Sequence, residues 1–105
     1  VRARQLRIPV LLDGYVVTAA MLALHAAAPG ALDHCLAGHV SAEPGHRRVL
    51  DHLGLRPILA LDLRLGERTG ALAALPILEL ACRAATDVAT FDEWFTQHPT
   101  PSAAP

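Results

Sequence analysis

Aromatic side chains are scarce in this sequence, whose 105 residues include one Tyr, one Trp and two Phe. Basic residues are not in excess, because 9 Lys and Arg side chains stand against 10 Asp and Glu side chains, for a formal net charge of −1. Proteins that bind nucleic acids rely on basic stripes, and those that bind single strands also stack bases on aromatic rings. Neither feature is present, so we expect no nucleic-acid partner.

Cysteine is nearly absent, and its two copies, Cys35 and Cys82, have no CxxC spacing. Such isolated thiols are typical of a reducing, cytosolic environment. The start of the chain does not have the pattern of a signal peptide. Residues 15–28 form the longest weakly polar run, which two polar side chains interrupt and which is shorter than the ~20 residues of a membrane span. We therefore expect a cytoplasmic protein without a membrane partner.

Short apolar runs alternate with helical patterns along the chain. Three apolar segments predict extended strands: residues 8–12, 32–37 and 57–63. Three segments predict helices: residues 15–28, 46–53 and 70–90. The first and last of these helices are apolar around most of their circumference, so we expect both to be buried. The end of the chain, residues 96–105, has the composition of a disordered tail.

This alternation predicts βαβ units and an α/β fold, a partial three-layer α/β/α arrangement around a mostly parallel sheet. Parallel sheets are covered by helices on both faces. Three strands with such hydrophobic helices cannot cover one another well, so we expect this segment to be part of a larger domain.

A glycine-flanked loop, Leu-Gly-Glu-Arg-Thr-Gly at residues 65–70, follows the third apolar segment. In open α/β sheets ligands bind beyond the carboxyl ends of the strands. Apolar Leu63 and Leu65 would desolvate Glu67, which raises the pKa of a carboxylate toward that of a general base. Glycines at a helix N-terminus would also create an anion site. The alternative is that Glu67 is a solvated turn residue that interacts with the helix dipole.

A second loop, residues 38–45, follows the second predicted strand and contains Ser41 and Glu43. Ser41 is a candidate substrate contact, although Ser41 or Glu43 could equally cap the helix that follows. His39 and His46 are nearby, but their spacing matches no standard zinc arrangement. We therefore expect no metal site.

Asp13 and Gly14 close the first predicted strand. An acidic residue at the end of a strand can orient a ribose hydroxyl, as in dinucleotide-binding folds. Such residues more often cap the following helix, and we favour the cap for Asp13.

Three segments resemble the C-terminal part of the nicotinate-nucleotide–dimethylbenzimidazole phosphoribosyltransferase family: IPVLLDGYVVTAA, AGHVSAEPGH and LDLRLGERTGALAALPIL. They occur in the family's order and at closely similar spacing, from about Arg7 through Phe91. The resemblance spans about the last third of the family's length. It implies that residues 1–95 are the C-terminal portion of a larger Rossmann-like domain, with no cofactor and a homodimer in the full-length form.

The resemblance also implies a reaction. The phosphoribosyl group of nicotinate mononucleotide is transferred to 5,6-dimethylbenzimidazole, giving α-ribazole 5′-phosphate and nicotinate for the lower ligand of cobalamin. In this family the general base is the glutamate of an LGEGTG-like loop, which corresponds to Glu67. The candidate substrate-binding residues are Ser41, Leu63, Leu65, Gly66 and Arg68. Leu63 and Leu65 would line the flat aromatic pocket, or they are ordinary core leucines.

Arg68 departs from the family motif, which has glycine after the glutamate. If the position requires a positive φ, arginine costs on the order of 1 kcal/mol. Its guanidinium would lower the pKa of Glu67 and weaken it as a base. Alternatively, Arg68 binds a phosphate or carboxylate of the substrate.

Three interpretations follow. The segment belongs to an active phosphoribosyltransferase, or it is a subunit that depends on a partner chain for the missing sheet, or it is a truncated, non-catalytic fragment. We expect the isolated 105-residue chain to be inactive.

Overall fold

The structure, a computed structural model, describes residues 1–97. The strands are β1 (Val10–Leu12), β2 (Cys35–His39) and β3 (Pro57–Leu59). The helices are α1 (Arg2–Gln5), α2 (Tyr15–Ala27), α3 (Pro44–Leu53), α4 (Thr69–Asp87) and α5 (Phe91–Gln97). Strands and helices alternate from β1 to α4, as the apolar pattern predicts.

The three strands form one parallel sheet in the order β1-β2-β3. Val10 pairs with Cys35 at one end of the first ladder, and His39 pairs with Leu59 in the second. Helices α2 and α3 form the two crossovers that parallel strands require. The predicted α/β fold with a parallel sheet is confirmed.

Helices cover both faces of the sheet, because successive side chains of a strand point to opposite faces. Cys35 and Ala37 of β2 belong to the buried clusters that α2 and α3 complete. Gly38 lies on the other face, where a Cβ would stand 2.9 Å from the Cα of Ala71 in α4. Glycine at this position therefore lets α4 approach the sheet closely.

The strand boundaries differ from the predicted ones for local reasons. β1 begins at Val10 instead of residue 8, because the chain leaves α1 through Arg7 at φ 56°. β2 runs from residue 35 to 39 instead of 32 to 37, because residues 28–35 form successive hydrogen-bonded turns. β3 ends at Leu59, and the predicted extension to residue 63 is wrong because the backbone turns at Asp62, with φ 52°.

The predicted helices are confirmed in kind; α2 ends and α4 begins one residue before the predicted position, and two other ends differ by more. α3 begins at Pro44, two residues before the predicted start, and ends at Gly54 in the left-handed conformation. α4 ends at Asp87, and a separate helix α5 follows it. Thr90 and Glu93 form the reciprocal side-chain-to-backbone bonds of a capping box, which starts α5.

The predicted disordered tail begins too early in the sequence. Its first two residues, Thr96 and Gln97, lie in α5, and Thr96 donates a hydrogen bond to the Asp92 carbonyl oxygen. The other residues of the predicted tail, 98–105, lie outside the described residues.

The predicted burial of the two apolar helices is wrong for residues 1–97. In α2 only Thr18 is buried, and in α4 only Gly70 and Ala74 are buried. Val16 is 83% exposed and Leu80 is 67% exposed. The three-stranded sheet offers too little surface to cover these helices, as the sequence predicts for part of a larger domain.

Helix α4 has the length and apolarity of a membrane span, with 19 residues and a mean hydropathy of 1.2. Only 11% of this apolar stretch is buried. Residues 15–28, considered above, are therefore not the longest apolar helical segment. Core helices of soluble proteins meet the same criteria. α4 also contains Pro76 and an ion pair between Glu79 and Arg83. The absence of a membrane partner stays a prediction.

Candidate active site

An open cleft of about 810 Å³ lies beyond the carboxyl ends of β1 and β2. Five of the six predicted site residues line it: Ser41, Leu63, Gly66, Glu67 and Arg68. The sixth, Leu65, is 76% exposed and does not line the cleft. The two loops singled out in the sequence therefore meet at the edge of the sheet where open α/β folds bind ligands.

The loop that carries Glu67 is a tight turn from Gly66 to Thr69. The Thr69 backbone N–H and hydroxyl both donate to the Gly66 carbonyl oxygen, at 3.1 and 2.7 Å. Glu67 and Arg68 occupy the two central positions with φ 55° and 71°. Positive φ at both positions is the signature of a type I′ turn, which favours Gly, Asn and Asp. The positive φ considered for Arg68 is thus present.

The predicted shielding of Glu67 by apolar side chains is wrong within residues 1–97. Glu67 is exposed, as are Leu65 and Arg68, and Leu63 is only half-buried. Glu43 is exposed as well, so neither loop carboxylate is buried. The turn lies at the rim of the cleft, where no element of the described chain covers it.

Asp13 does not cap the helix that follows it, contrary to the prediction. Helix α2 begins at Gly14 without a side-chain cap, and the Asp13 carboxylate instead bonds to the start of α4. Its Oδ1 accepts the Ala71 N–H at 2.8 Å, and its Oδ2 accepts the Arg68 N–H at 3.1 Å. The predicted anion site at this helix N-terminus is therefore already occupied by an anion from the protein itself.

Ser41 is held by a buried hydrogen-bond chain through His46. The Nδ1 atom of His46 accepts the Ser41 backbone N–H at 2.9 Å and lies 2.7 Å from the Ser41 hydroxyl. Its Nε2 lies 3.2 Å from the Thr18 hydroxyl, which donates to the Gly14 carbonyl oxygen at 2.8 Å. An acceptor Nδ1 and a donor Nε2 define the neutral imidazole. Neither Ser41 nor Glu43 makes a side-chain cap bond to α3.

The pKa values of two residues near Ser41 are shifted. Burial lowers the pKa of His46, the nearby His39 lowers it further, and the carboxylates of Glu43 and Asp13 partly oppose the shift. A hydrogen bond from Ser41 lowers the pKa of Glu43, and Glu43's own backbone acts in the same direction. Both shifts favour a neutral imidazole beside an ionised, solvated carboxylate.

His39 lies deep at the back of the cleft and was not predicted as part of the site. It is 1% exposed, and its Nε2 lies 3.8 Å from Asp13 Oδ1. Its ring is edge-on to that of His46, with centroids 5.9 Å apart. Gly70 of α4 packs on the His39 ring so closely that a Cβ has no room. Within residues 1–97, no group of three or more His, Cys, Asp and Glu side chains could hold a metal ion.

Sequence reasoning missed Tyr15 and His39 as cleft-lining residues, and for Asp13 it favoured a helix cap over a ribose contact. Their position gives the one available signal, because each lies at the end of a predicted strand or at the start of the next helix. Nothing in their spacing indicates that Asp13 would contact a loop 55 residues away.

Comparison with known proteins gives consistent matches. A family model described as "Phosphoribosyltransferase" matches residues 1–94. The nicotinate-nucleotide–dimethylbenzimidazole phosphoribosyltransferase of Allorhizobium ampelinum is 59% identical over 91 residues, which are 87% of this chain and 27% of that protein. The protein of the same name from Methylorubrum extorquens is 55% identical over 93 residues, 89% of this chain and 27% of its own length.

The fold has a close structural counterpart. The crystal structure of CobT from Thermus thermophilus superposes with a TM-score of 0.80 at 51% identity, over 88% of this chain and 27% of that one. The chain thus spans about a quarter of the length of the proteins it resembles. That it corresponds to their C-terminal part stays a prediction. Because the family match extends over residues 1–94, this chain belongs to the phosphoribosyltransferase family.

Proposed function

We propose that this chain acts within a phosphoribosyltransferase that transfers the phosphoribosyl group of nicotinate mononucleotide to 5,6-dimethylbenzimidazole. The products are α-ribazole 5′-phosphate and nicotinate, used in building the lower ligand of cobalamin. The observation that carries the proposal is the turn that presents Glu67 at the rim of the cleft, opposite Ser41, in a chain that matches the family over residues 1–94. The names of these relatives contain both substrates.

The reaction requires one proton transfer and careful positioning. A ring nitrogen of the benzimidazole attacks the C1′ carbon of the ribose, while the bond from C1′ to the pyridine nitrogen breaks. That pyridine nitrogen is quaternary in the substrate, so it leaves with the bonding electrons and needs no general acid. The benzimidazole must lose the N–H proton of its other nitrogen, which we assign to the Glu67 carboxylate. A general base of this kind contributes about 10²- to 10⁴-fold in rate.

The remaining cleft residues supply binding groups. The Ser41 hydroxyl is half-buried and fixed through His46, so it is a preorganised polar contact. Leu63 offers apolar surface to a flat ring, and the Gly66 backbone allows close approach. Arg68 is exposed at the rim, where its guanidinium can bind a substrate phosphate. Leu65 would join the site only if further parts of the enzyme bring ligand to it.

The chain spans only 27% of its relatives, so the activity is proposed for a chain of their length that contains residues 1–94, which we term the family-length enzyme. A chimera that carries residues 1–94 in the Thermus thermophilus CobT framework is a practical form of it. A partner-dependent subunit and a non-catalytic fragment are the alternatives. The homodimer and the cytoplasmic location stay predictions for the family-length enzyme.

The direct test is product analysis. The family-length enzyme is incubated with nicotinate mononucleotide and dimethylbenzimidazole, and the products are identified by liquid chromatography and mass spectrometry. We expect α-ribazole 5′-phosphate and nicotinate in equal amounts, and no nicotinate when dimethylbenzimidazole is omitted. The isolated 105-residue chain should give no product. Absence of α-ribazole 5′-phosphate from the family-length enzyme would refute the proposal.

A further inference from the structure

We propose that Asp13 is a positioning residue for the catalytic turn: it fixes the Glu67 peptide group from the end of β1, 54 positions earlier in the chain. This inference rests on the proposed role of Glu67 as the general base. It adds Asp13 to the residues that support catalysis, whereas the sequence predicts that Asp13 caps α2.

The contacts of Asp13 clamp the turn on both sides. The Arg68 N–H that Oδ2 accepts belongs to the peptide group joining Glu67 to Arg68, so this bond restrains the backbone of Glu67 itself. The Ala71 N–H that Oδ1 accepts lies in the first turn of α4. Hydrogen bonds to an ionised carboxylate are about twice as strong as neutral ones, and they are directional.

The turn needs an external restraint. Glu67 and Arg68 both adopt positive φ. This conformation costs free energy in every residue except glycine, so it persists only when the surroundings enforce it. The bonds within the turn, from Thr69 to Gly66, are local and move with it. In the described part of the chain, the hydrogen bonds that join residues 66–71 to another element both end on Asp13.

Asp13 is itself held rigidly. Its side chain is 17% exposed, and it directly follows β1, which is paired with β2. His39, at 3.8 Å from Oδ1, blocks movement of the carboxylate toward the sheet and is itself buried. The chain of contacts therefore runs from the sheet through Asp13 to the Glu67 peptide group.

The first test is Asp13→Asn in the family-length enzyme. Asparagine keeps the shape but loses the charge and one of the two acceptor oxygens. Displacing a catalytic group by about 1 Å costs about a hundredfold in rate. We expect kcat to fall about tenfold to a hundredfold, with the KM for nicotinate mononucleotide changed less than about twofold. Asp33→Asn, at an exposed carboxylate paired with Arg4 away from the cleft, is the matched control and should leave both constants unchanged.

A double-mutant cycle separates positioning from a general structural role. If Asp13 acts through Glu67, Asp13→Asn causes no further loss of kcat in the Glu67→Gln background, since residues that act as a unit are non-additive. Additive losses, an unchanged kcat in the single variant, or a loss confined to KM would overturn the proposal. The last outcome would instead indicate a ribose contact.

Hydrogen–deuterium exchange of the unmodified enzyme, without substrate, provides a second measurement that needs neither the variant nor the activity. The amides of Arg68 and Ala71 should exchange at least about tenfold more slowly than the Glu67 amide. Equal exchange at these three amides would overturn the clamp even if the variant failed to fold. A wild-type enzyme that shows the protection without forming α-ribazole 5′-phosphate would refute the proposed function and leave the clamp standing.

Discussion

Residues in the Glu67 turn combine a proposed chemical role with an unfavourable backbone conformation. Arg68 has φ 71° and ψ 6°. Glycine adopts this conformation freely, whereas in L-residues the Cβ atom clashes with the backbone. The resemblance described above implies glycine at this position. The arginine is exposed and lines the cleft, so its side chain can contribute charge at the rim. Relief of backbone strain therefore favours glycine at position 68, whereas the proposed binding of a substrate phosphate favours arginine.

Replacing Arg68 with glycine separates the two effects. We expect Arg68→Gly to raise the free energy of unfolding by about 1 kcal/mol or less, because relief of the left-handed strain exceeds the added entropy of the unfolded glycine. Thermal unfolding of the family-length enzyme gives the measurement. Arg64→Gly, in the same loop region but without a positive φ, should be neutral or destabilising. A lower stability for Arg68→Gly would contradict the strain assignment.

The sequence could predict that Glu67 and Ser41 lie at one cleft, because both follow predicted strands and lie in motifs that resemble a family. It could not identify the role of Asp13, because the bonds to Arg68 and Ala71 join positions 55 and 58 residues apart. It also could not predict that Leu65 is exposed, because the sequence does not distinguish a loop leucine that lines a pocket from one that faces solvent.

At the scale of elements, the buried His46 connects three of them. It lies in α3, accepts from Ser41 after β2 and contacts Thr18 of α2. Thr18 and His46 are both fully buried. Buried polar groups of this kind stabilise a fold only when each is satisfied, and the loss of one partner costs about 1–3 kcal/mol. The chain of bonds thus sets the position of Ser41 relative to both crossover helices.

Stability should depend on pH through His46. Its pKa is lowered in the folded state, so below its ordinary value of 6.5 the unfolded chain binds a proton that the folded chain does not. The free energy of unfolding should therefore fall as the pH is lowered from about 7.5 to about 5.5, above the range in which the acidic residues titrate. Urea unfolding at these two pH values gives the measurement. His46→Gln should be less stable at the higher pH and should lose much of this pH dependence.

His52→Gln is the matched control, since His52 is an exposed histidine of the same helix. It should retain the pH dependence of the wild type. A wild-type protein that is equally stable at both pH values would show that burial of the neutral imidazole does not affect folding.

From β1 to α4 the elements were predictable in type and order, but several of their ends were not, and the short helices α1 and α5 were not predicted. The end of α3 matches the prediction, and Gly54, which directly follows it, adopts the left-handed conformation that ends helices. The start of β2 was misplaced because Leu32 is apolar and buried in a turn, a position that periodicity does not distinguish from a strand. The break between α4 and α5 depends on side-chain bonds between Thr90 and Glu93, which the apolar pattern does not include.

On the scale of the whole molecule, the described chain exposes many large apolar side chains. Large exposed side chains occur on α2, α4 and α5: Val16, Leu72, Leu75, Leu80, Phe91 and Phe95. Phe91 and Phe95 stack on each other with ring centroids 6.3 Å apart. Exposed apolar side chains that gather into large patches mark interfaces or lead to aggregation. The match to only 27% of longer relatives is consistent with faces that further protein covers.

The isolated 105-residue chain should therefore self-associate. Size-exclusion chromatography with light scattering should give a mass clearly above the 11.1 kDa of one chain, and the fraction of larger species should grow with concentration. Leu80→Glu, on the exposed face of α4, should reduce this association, and Val1→Glu, at the chain start, should not. A stable monomer at high concentration would contradict the account of these faces as interfaces.

The measurement that tests the central claim most directly is the turnover of Glu67→Gln in the family-length enzyme. Glutamine keeps the size of the side chain but cannot accept the benzimidazole proton, so we predict that kcat falls at least about a hundredfold while nicotinate mononucleotide still binds. Glu79→Gln, at an exposed carboxylate of α4 paired with Arg83, should leave turnover unchanged. Near-normal turnover of Glu67→Gln would contradict the account, because it would remove Glu67 from the proton transfer.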